Sequence, residues 1–122
     1  MIKFGYEPFL ECSSRGDKRF SAFYARLKEF NNKCIEELYQ ASKIFEDGRT
    51  NLSWKEAKGK VPVNSEEVRI LYSILWDKYF EENPELLDFI SNYNGFSDIF
   101  GQKGHACQAE EIYRINLTSR LF

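Results

Sequence analysis

Long apolar runs are missing from this chain. Nowhere do about 18 apolar residues follow one another, which excludes a membrane-spanning helix. An excess of positive charge is missing too: 17 Lys and Arg stand against 19 Asp and Glu, for a net charge of −2. No overall basic field favours wrapping a nucleic-acid backbone, which leaves local basic clusters as the places to look for such a contact. Cysteine is scarce, with Cys12, Cys34 and Cys107 forming an odd set without C-x-x-C spacing. They read as free thiols of a reducing compartment and not as a disulfide framework. The single histidine, His105, stands two residues before Cys107. That pair offers two ligands where a closed zinc site needs four, so neither a metal nor a cofactor is expected. The N-terminal stretch MIKFGYEPF lacks the apolar core and small-residue cleavage site of a signal peptide. The expected location is therefore the cytoplasm. Repeats and low-complexity tracts are absent as well, and nothing in the sequence fixes an oligomeric state.

Aromatic residues, by contrast, are plentiful. Among 122 residues are eleven Phe, seven Tyr and two Trp, and 43% of the chain is hydrophobic. That is enough for one self-sufficient core and too short for two domains. Residues 1–30 lean extended, with aromatic-rich runs at 9–12 and 20–27 around the polar turn Ser13-Ser14-Arg15-Gly16-Asp17. A helical pattern begins near residue 33, with Ile35, Leu38, Ser42 and Phe45 as its inward row and Gly48 as its stop. Ser53-Trp54-Lys55-Glu56 has capping-box spacing and predicts a short helix ended by Gly59. Asn64 to Glu67 opens the longest helix, with Val68, Leu71, Leu75 and Tyr79 on one face. Asn83 is expected to cap the following helix, with Pro84 at its first position and Asn94-Gly95 as its end. A loop, FSDIFGQKGH, and a last periodic segment from about 106 to 115 complete the chain. The sum predicts a helix-dominated, compact α+β domain spanning 1–122.

Within the first helix, Glu36, Gln40 and Lys43 fall within an arc of about 60°. A wet helix face accounts for such a row; so does a cleft in which a carboxylate works beside an amide and an amine. Two basic clusters carry a similar choice. Arg15, Lys18 and Arg19 with Ser13, Ser14 and Gly16, or Lys55, Lys58 and Lys60 around Gly59, are either phosphate cradles or solvated loops.

Residues Phe20 to Tyr24, FSAFY, followed by Ile35 to Lys43, IEELYQASK, resemble the signature of the NADAR superfamily, the YbiA-like N-glycosidases. Glu36, Gln40 and Lys43 stand at the family's offsets. KYFEENPELLDFI (Lys78 to Ile90) and SDIFG (Ser97 to Gly101) are similar to its later motifs. The chain departs from the pattern at Ala22, Glu37 and Phe100, and has no counterpart of the family's mid-chain Trp. The resemblance implies a NADAR-like fold and hydrolysis of an N-glycosidic bond in a nucleoside, an NAD-derived molecule or an ADP-ribosylated guanine. The expected partner is thus a small nucleotide-like substrate or ADP-ribosylated nucleic acid.

That reaction passes through an oxocarbenium-like state, so a carboxylate is needed near the anomeric carbon. Glu36 is expected in that role, with Asp98, in its Gly-flanked loop, as second carboxylate and Lys43 as a charge partner. Gln40, Arg15, Arg19 and Lys58 are expected to hold polar parts of the substrate, Tyr24 and Phe100 to stack on a base, and His105 to line the mouth. Two other readings stay open: a pocket that binds an ADP-ribose-like ligand without cleaving it, and a small interaction protein.

Overall fold

The computed structural model describes residues 1–48, 56, 62–102 and 105–121. Its elements are β1 (Ile2–Gly5), β2 (Phe9–Glu11), a 3-10 turn (Lys18–Phe20), β3 (Arg26–Leu27), a second 3-10 turn (Lys28–Phe30), β4 (Lys33–Cys34), α1 (Ile35–Ala41), α2 (Ser65–Glu82), α3 (Glu85–Ile90), β5 (Gly95–Asp98) and α4 (Gln108–Leu121). The expected α+β class, dominated by helices, is what the chain adopts. The predicted helix at residues 53–59 lies outside the described residues, except Glu56, which is helical and exposed.

α2 forms because its apolar residues recur at helical spacing. Val68, Tyr72, Leu75, Trp76, Tyr79 and Phe80 are all buried, and Glu66 and Glu67 complement the dipole at its N-terminal turn. Its entrance is pinned to the exit of α1: Asn64 Oδ1 accepts from the Ile44 N–H at 2.9 Å and its Nδ2 donates to Ser42 O at 3.1 Å. Asn83 differs from the expectation. Its side chain donates back to Tyr79 O at 2.9 Å and closes α2, while α3 begins without a side-chain cap.

The larger correction concerns residues 95–98, expected as a helix end and a loop. They form the buried central strand of a three-stranded sheet, ordered β1-β5-β2. β1 runs antiparallel to β5, pairing Ile2 with Asp98 and Gly5 with Gly95, and β2 runs parallel, pairing Leu10 with Phe96. Gly5 sits at φ +84, and a Cβ there would overlap Asn94 O, so this sheet end admits only glycine. Residues 20–27, expected as a strand, contribute only β3, which pairs with β4. The reason is local: the Tyr24 and Ala25 N–H groups both turn back onto Ser21 O, at 3.0 and 2.8 Å. One core joins these parts. Phe96 of the sheet, Phe20, Trp76 and Leu75 of α2, Ile90 of α3 and Ile112 of α4 are sealed from solvent, and Phe20 stacks on Phe89 with centroids 5.6 Å apart.

Candidate functional site

The tight turn at Ser21–Ala25 decides where α1 begins. Its carbonyls take the first helical donors: Ile35 N–H binds Ala25 O at 2.9 Å and Glu36 N–H binds Ala22 O at 3.0 Å. This satisfies donors that a capping side chain usually serves, and Cys34 at the N-cap supplies none. Ala22 and Ala25 are almost wholly buried, so only small side chains let the turn approach the helix this closely.

Docked in this way, Glu36 lies on the wall of a cavity of about 330 Å³. Asp98, Phe100 and His105 share that wall, as do Ser14, Phe23, Tyr72 and Gln108. The structure thus brings together four of the residues singled out in the sequence. Glu36 Oε1 accepts from Gln40 Nε2 at 2.8 Å, and its Oε2 has no hydrogen-bond partner among the described residues. Burial pushes the pKa of the Tyr72 phenol, which also lines the cavity, well above its ordinary value.

Asp98 is not in a loop; it is the last residue of β5 and buried. Both of its oxygens are engaged. Oδ1 accepts from the Phe100 N–H and Oδ2 from Gln108 Nε2, each at 2.9 Å. Gln108, absent from the sequence expectations, is the chief residue the sequence reading missed. It opens the last helix, where a polar side chain normally faces water, and only the fold places it in the core.

The rest of the expected set divides. Lys43 lies just beyond the end of α1, buried, on a smaller neighbouring cavity of about 200 Å³ with Tyr39, Ser65, Arg69 and His105. Burial lowers the Lys43 pKa and the Glu36 carboxylate opposes this, for a net fall below the ordinary lysine value. Its ammonium stands 5.4 Å from the centre of the Tyr39 ring. Gln40 is buried, does not line this cavity, and reaches it through its hydrogen bond to Glu36. Tyr24 is half exposed beneath Lys18 and does not line the cavity; its neighbour Phe23 does. Arg19 is held by Asp17, with Nη2 2.6 Å from Oδ2, and lies over Phe89, away from the cavity. Lys58 falls outside the described residues.

In the turn at 13–17 most of the backbone donors that a phosphate cradle would use are already taken within the fold. The Ser13 and Ile99 N–H groups bind Glu11 Oε2, the Arg15 N–H binds Ser13 Oγ, Gly16 N–H binds Ser13 O, and Asp17 N–H binds Glu11 O. Those backbone donors are already satisfied. What the turn offers the cavity is Ser14 on its wall and the exposed Arg15 guanidinium, 5.9 Å from the centre of the Phe100 ring. Among the described residues, no three His, Cys, Asp or Glu side chains are grouped to hold a metal ion, and no helix is long and apolar enough to cross a membrane.

No protein-family model matches this chain, and no curated protein matches it.

Proposed function

We propose that this chain is a divergent NADAR-like N-glycosidase that hydrolyses the N-glycosidic bond of a nucleotide-like substrate, with Glu36 as its working carboxylate. One observation carries the reading: Glu36 faces a nucleoside-sized cavity with one oxygen steered by Gln40 and the other without a partner among the described residues. In an oxocarbenium-like transition state that second oxygen is the group to steady charge or to move a proton. Phe23 and Phe100 supply faces for a planar base, and Arg15 lies over one of them. The adjoining lobe with Lys43, Arg69 and Ser65 suits a phosphate or ribose hydroxyl. Asp98, with both oxygens engaged, adds charge and rigidity and does not activate water.

That engagement of Asp98 also favours a second reading, in which the same pocket holds an ADP-ribose-like ligand without cleaving it. A mass-spectrometric panel separates the two. NAD, ADP-ribose, ribosylated pyrimidine amines and DNA carrying ADP-ribosylated guanine are each incubated with the protein. Release of a free base or sugar supports the glycosidase. Thermal stabilisation without turnover supports the binding module, because a bound ligand raises stability by mass action.

A further inference from the structure

We propose that Gln108 is a positioning residue for Glu36, acting through a buried hydrogen-bonded relay from Asp98 through Gln108 and Ala22 to Glu36; this rests on Glu36 being the working carboxylate. The links are short. Gln108 Nε2 donates to Asp98 Oδ2 at 2.9 Å, Ala22 N–H donates to Gln108 Oε1 at 2.6 Å, and Glu36 N–H donates to Ala22 O at 3.0 Å. All three relay members below Glu36 are out of water, Asp98 at 6%, Gln108 at 8% and Ala22 at 1% exposure. Gln108 and Ala22 are 86 residues apart in sequence, so no local geometry holds them together.

The amide orientation is dictated from both ends. A backbone N–H only donates, so the amide oxygen must face Ala22; the Asp98 oxygen only accepts when ionised, so the NH₂ must face Asp98. Asp98 cannot swing away, since its other oxygen holds the Phe100 N–H. Ala22 is consequently clamped through its N–H by Gln108 and through its carbonyl by the first turn of α1. Gln40 then fixes the Glu36 carboxylate itself. The relay sets the helix start, and Gln40 sets the side chain.

Replacing the amide by a carboxylic acid, in Gln108→Glu, gives a direct test. While protonated, the new side chain reproduces the pattern, with its carbonyl oxygen accepting from Ala22 and its O–H donating to Asp98. Once ionised it cannot, and two carboxylates at this distance share a proton. The other groups facing the pair are Glu11 and Cys12 from β2, Cys107 ahead of α4, Arg15 beside Phe100, and Glu36, Tyr72 and His105 across the cavity. Gln108 does not titrate, so a pH dependence that Gln108→Glu shows and both wild type and Gln108→Met lack belongs to the new carboxyl pair with Asp98.

The experiment measures kcat and KM from pH 5 to 8 for wild type, Gln108→Glu and the near-isosteric Gln108→Met, with the ¹³C-carboxyl resonance of Glu36 followed in each protein. Misplacing a catalytic group by about 1 Å costs on the order of 10²-fold in rate. Gln108→Met should lose about 10- to 100-fold in kcat at every pH, with KM little changed. Gln108→Glu should approach wild type at pH 5 and fall toward Gln108→Met by pH 8, and its Glu36 resonance, compared with wild type at matched pH, should diverge over the same range. A rate ratio for Gln108→Glu that is flat with pH, or a Glu36 resonance that both substitutions leave in place, overturns the relay. Should wild type turn nothing over, the glycosidase reading fails by itself and the resonance still decides the relay. Should Gln108→Met not fold, the Gln108→Glu series carries the test alone.

Discussion

Glu11 is the residue whose loss should do most damage to the walls of the site without touching the cavity. Its Oε2 accepts the Ser13 and Ile99 N–H groups, both at 3.1 Å, and its Oε1 accepts the Ser97 hydroxyl at 2.9 Å. One carboxylate thus ties the turn bearing Ser14 and Arg15 to the end of β5 that leads into Phe100. Glu11→Ala strands three donors. Hydrogen bonds to a charged group contribute about 1.5–3 kcal/mol each, and partial exposure brings this nearer 1, so a loss of about 3 kcal/mol is expected. Glu11→Gln can keep an oxygen on the two N–H groups and donate to a rotated Ser97 hydroxyl, for a loss of about 1 kcal/mol. Partial burial works to raise the Glu11 pKa, but hydrogen bonds from Ser13, Ile99 and Ser97 outweigh it and hold the value below the ordinary 4.5. A lowered folded-state pKa contributes stability that is present above the unfolded value and lost as pH falls through the folded one. Urea unfolding at pH 7 should therefore separate wild type from Glu11→Gln, and the gap should close as pH drops below about 4.5. Variants within about 0.5 kcal/mol of wild type at pH 7, or a gap that widens in acid, would refute the reasoning.

Three further outcomes are expected. Gly16→Ala places a Cβ into Glu11 O and 2.7 Å from Glu11 Cβ, and should cost about 2 kcal/mol or more in urea unfolding, as the overlap is with backbone. Phe96→Ala empties a fully buried position on the central strand, and its Tm should reflect a loss of about 3–5 kcal/mol. Arg15→Ala leaves the fold intact and removes the cation over Phe100, so for a phosphorylated substrate KM should rise several-fold while kcat stays near wild type.

Long periodic elements were legible in the sequence because their signal is repeated. The buried positions from Val68 to Phe80 along α2 agree on one face, and the final helix was placed correctly in outline although it runs to Leu121, beyond the expected 115. The central strand was not legible. Its residues, Gly95-Phe96-Ser97-Asp98, are buried on both faces and lack the alternation that marks a half-exposed strand, while the neighbouring Asn, Gly and Ser read as turn. The site shows the same division. Glu36, Asp98, Phe100 and His105 line one cavity although no spacing along the chain connects residue 36 with 98–105, and only the family resemblance had set Glu36 beside Asp98 and Phe100; Arg19 is tied up by Asp17, a partner two residues away that the basic count ignored. Gln108 was invisible because its partners lie on other elements, Asp98 at the end of β5 and Ala22, 86 positions away, in the turn ahead of α1, and they meet it only when α4 packs on the sheet and beside that turn.

The most direct test compares wild type with Glu36→Gln on the substrate panel by mass spectrometry. The substitution keeps the shape, the contact with Gln40 through a reoriented amide, and the docking of α1 by its backbone. Wild type is expected to release a free base or sugar from at least one nucleotide-like substrate, and Glu36→Gln to fold normally and lose on the order of 10²- to 10⁴-fold of that rate. Turnover that survives Glu36→Gln undiminished would contradict the role assigned to this carboxylate, and a wild type inert toward every substrate would contradict the glycosidase itself.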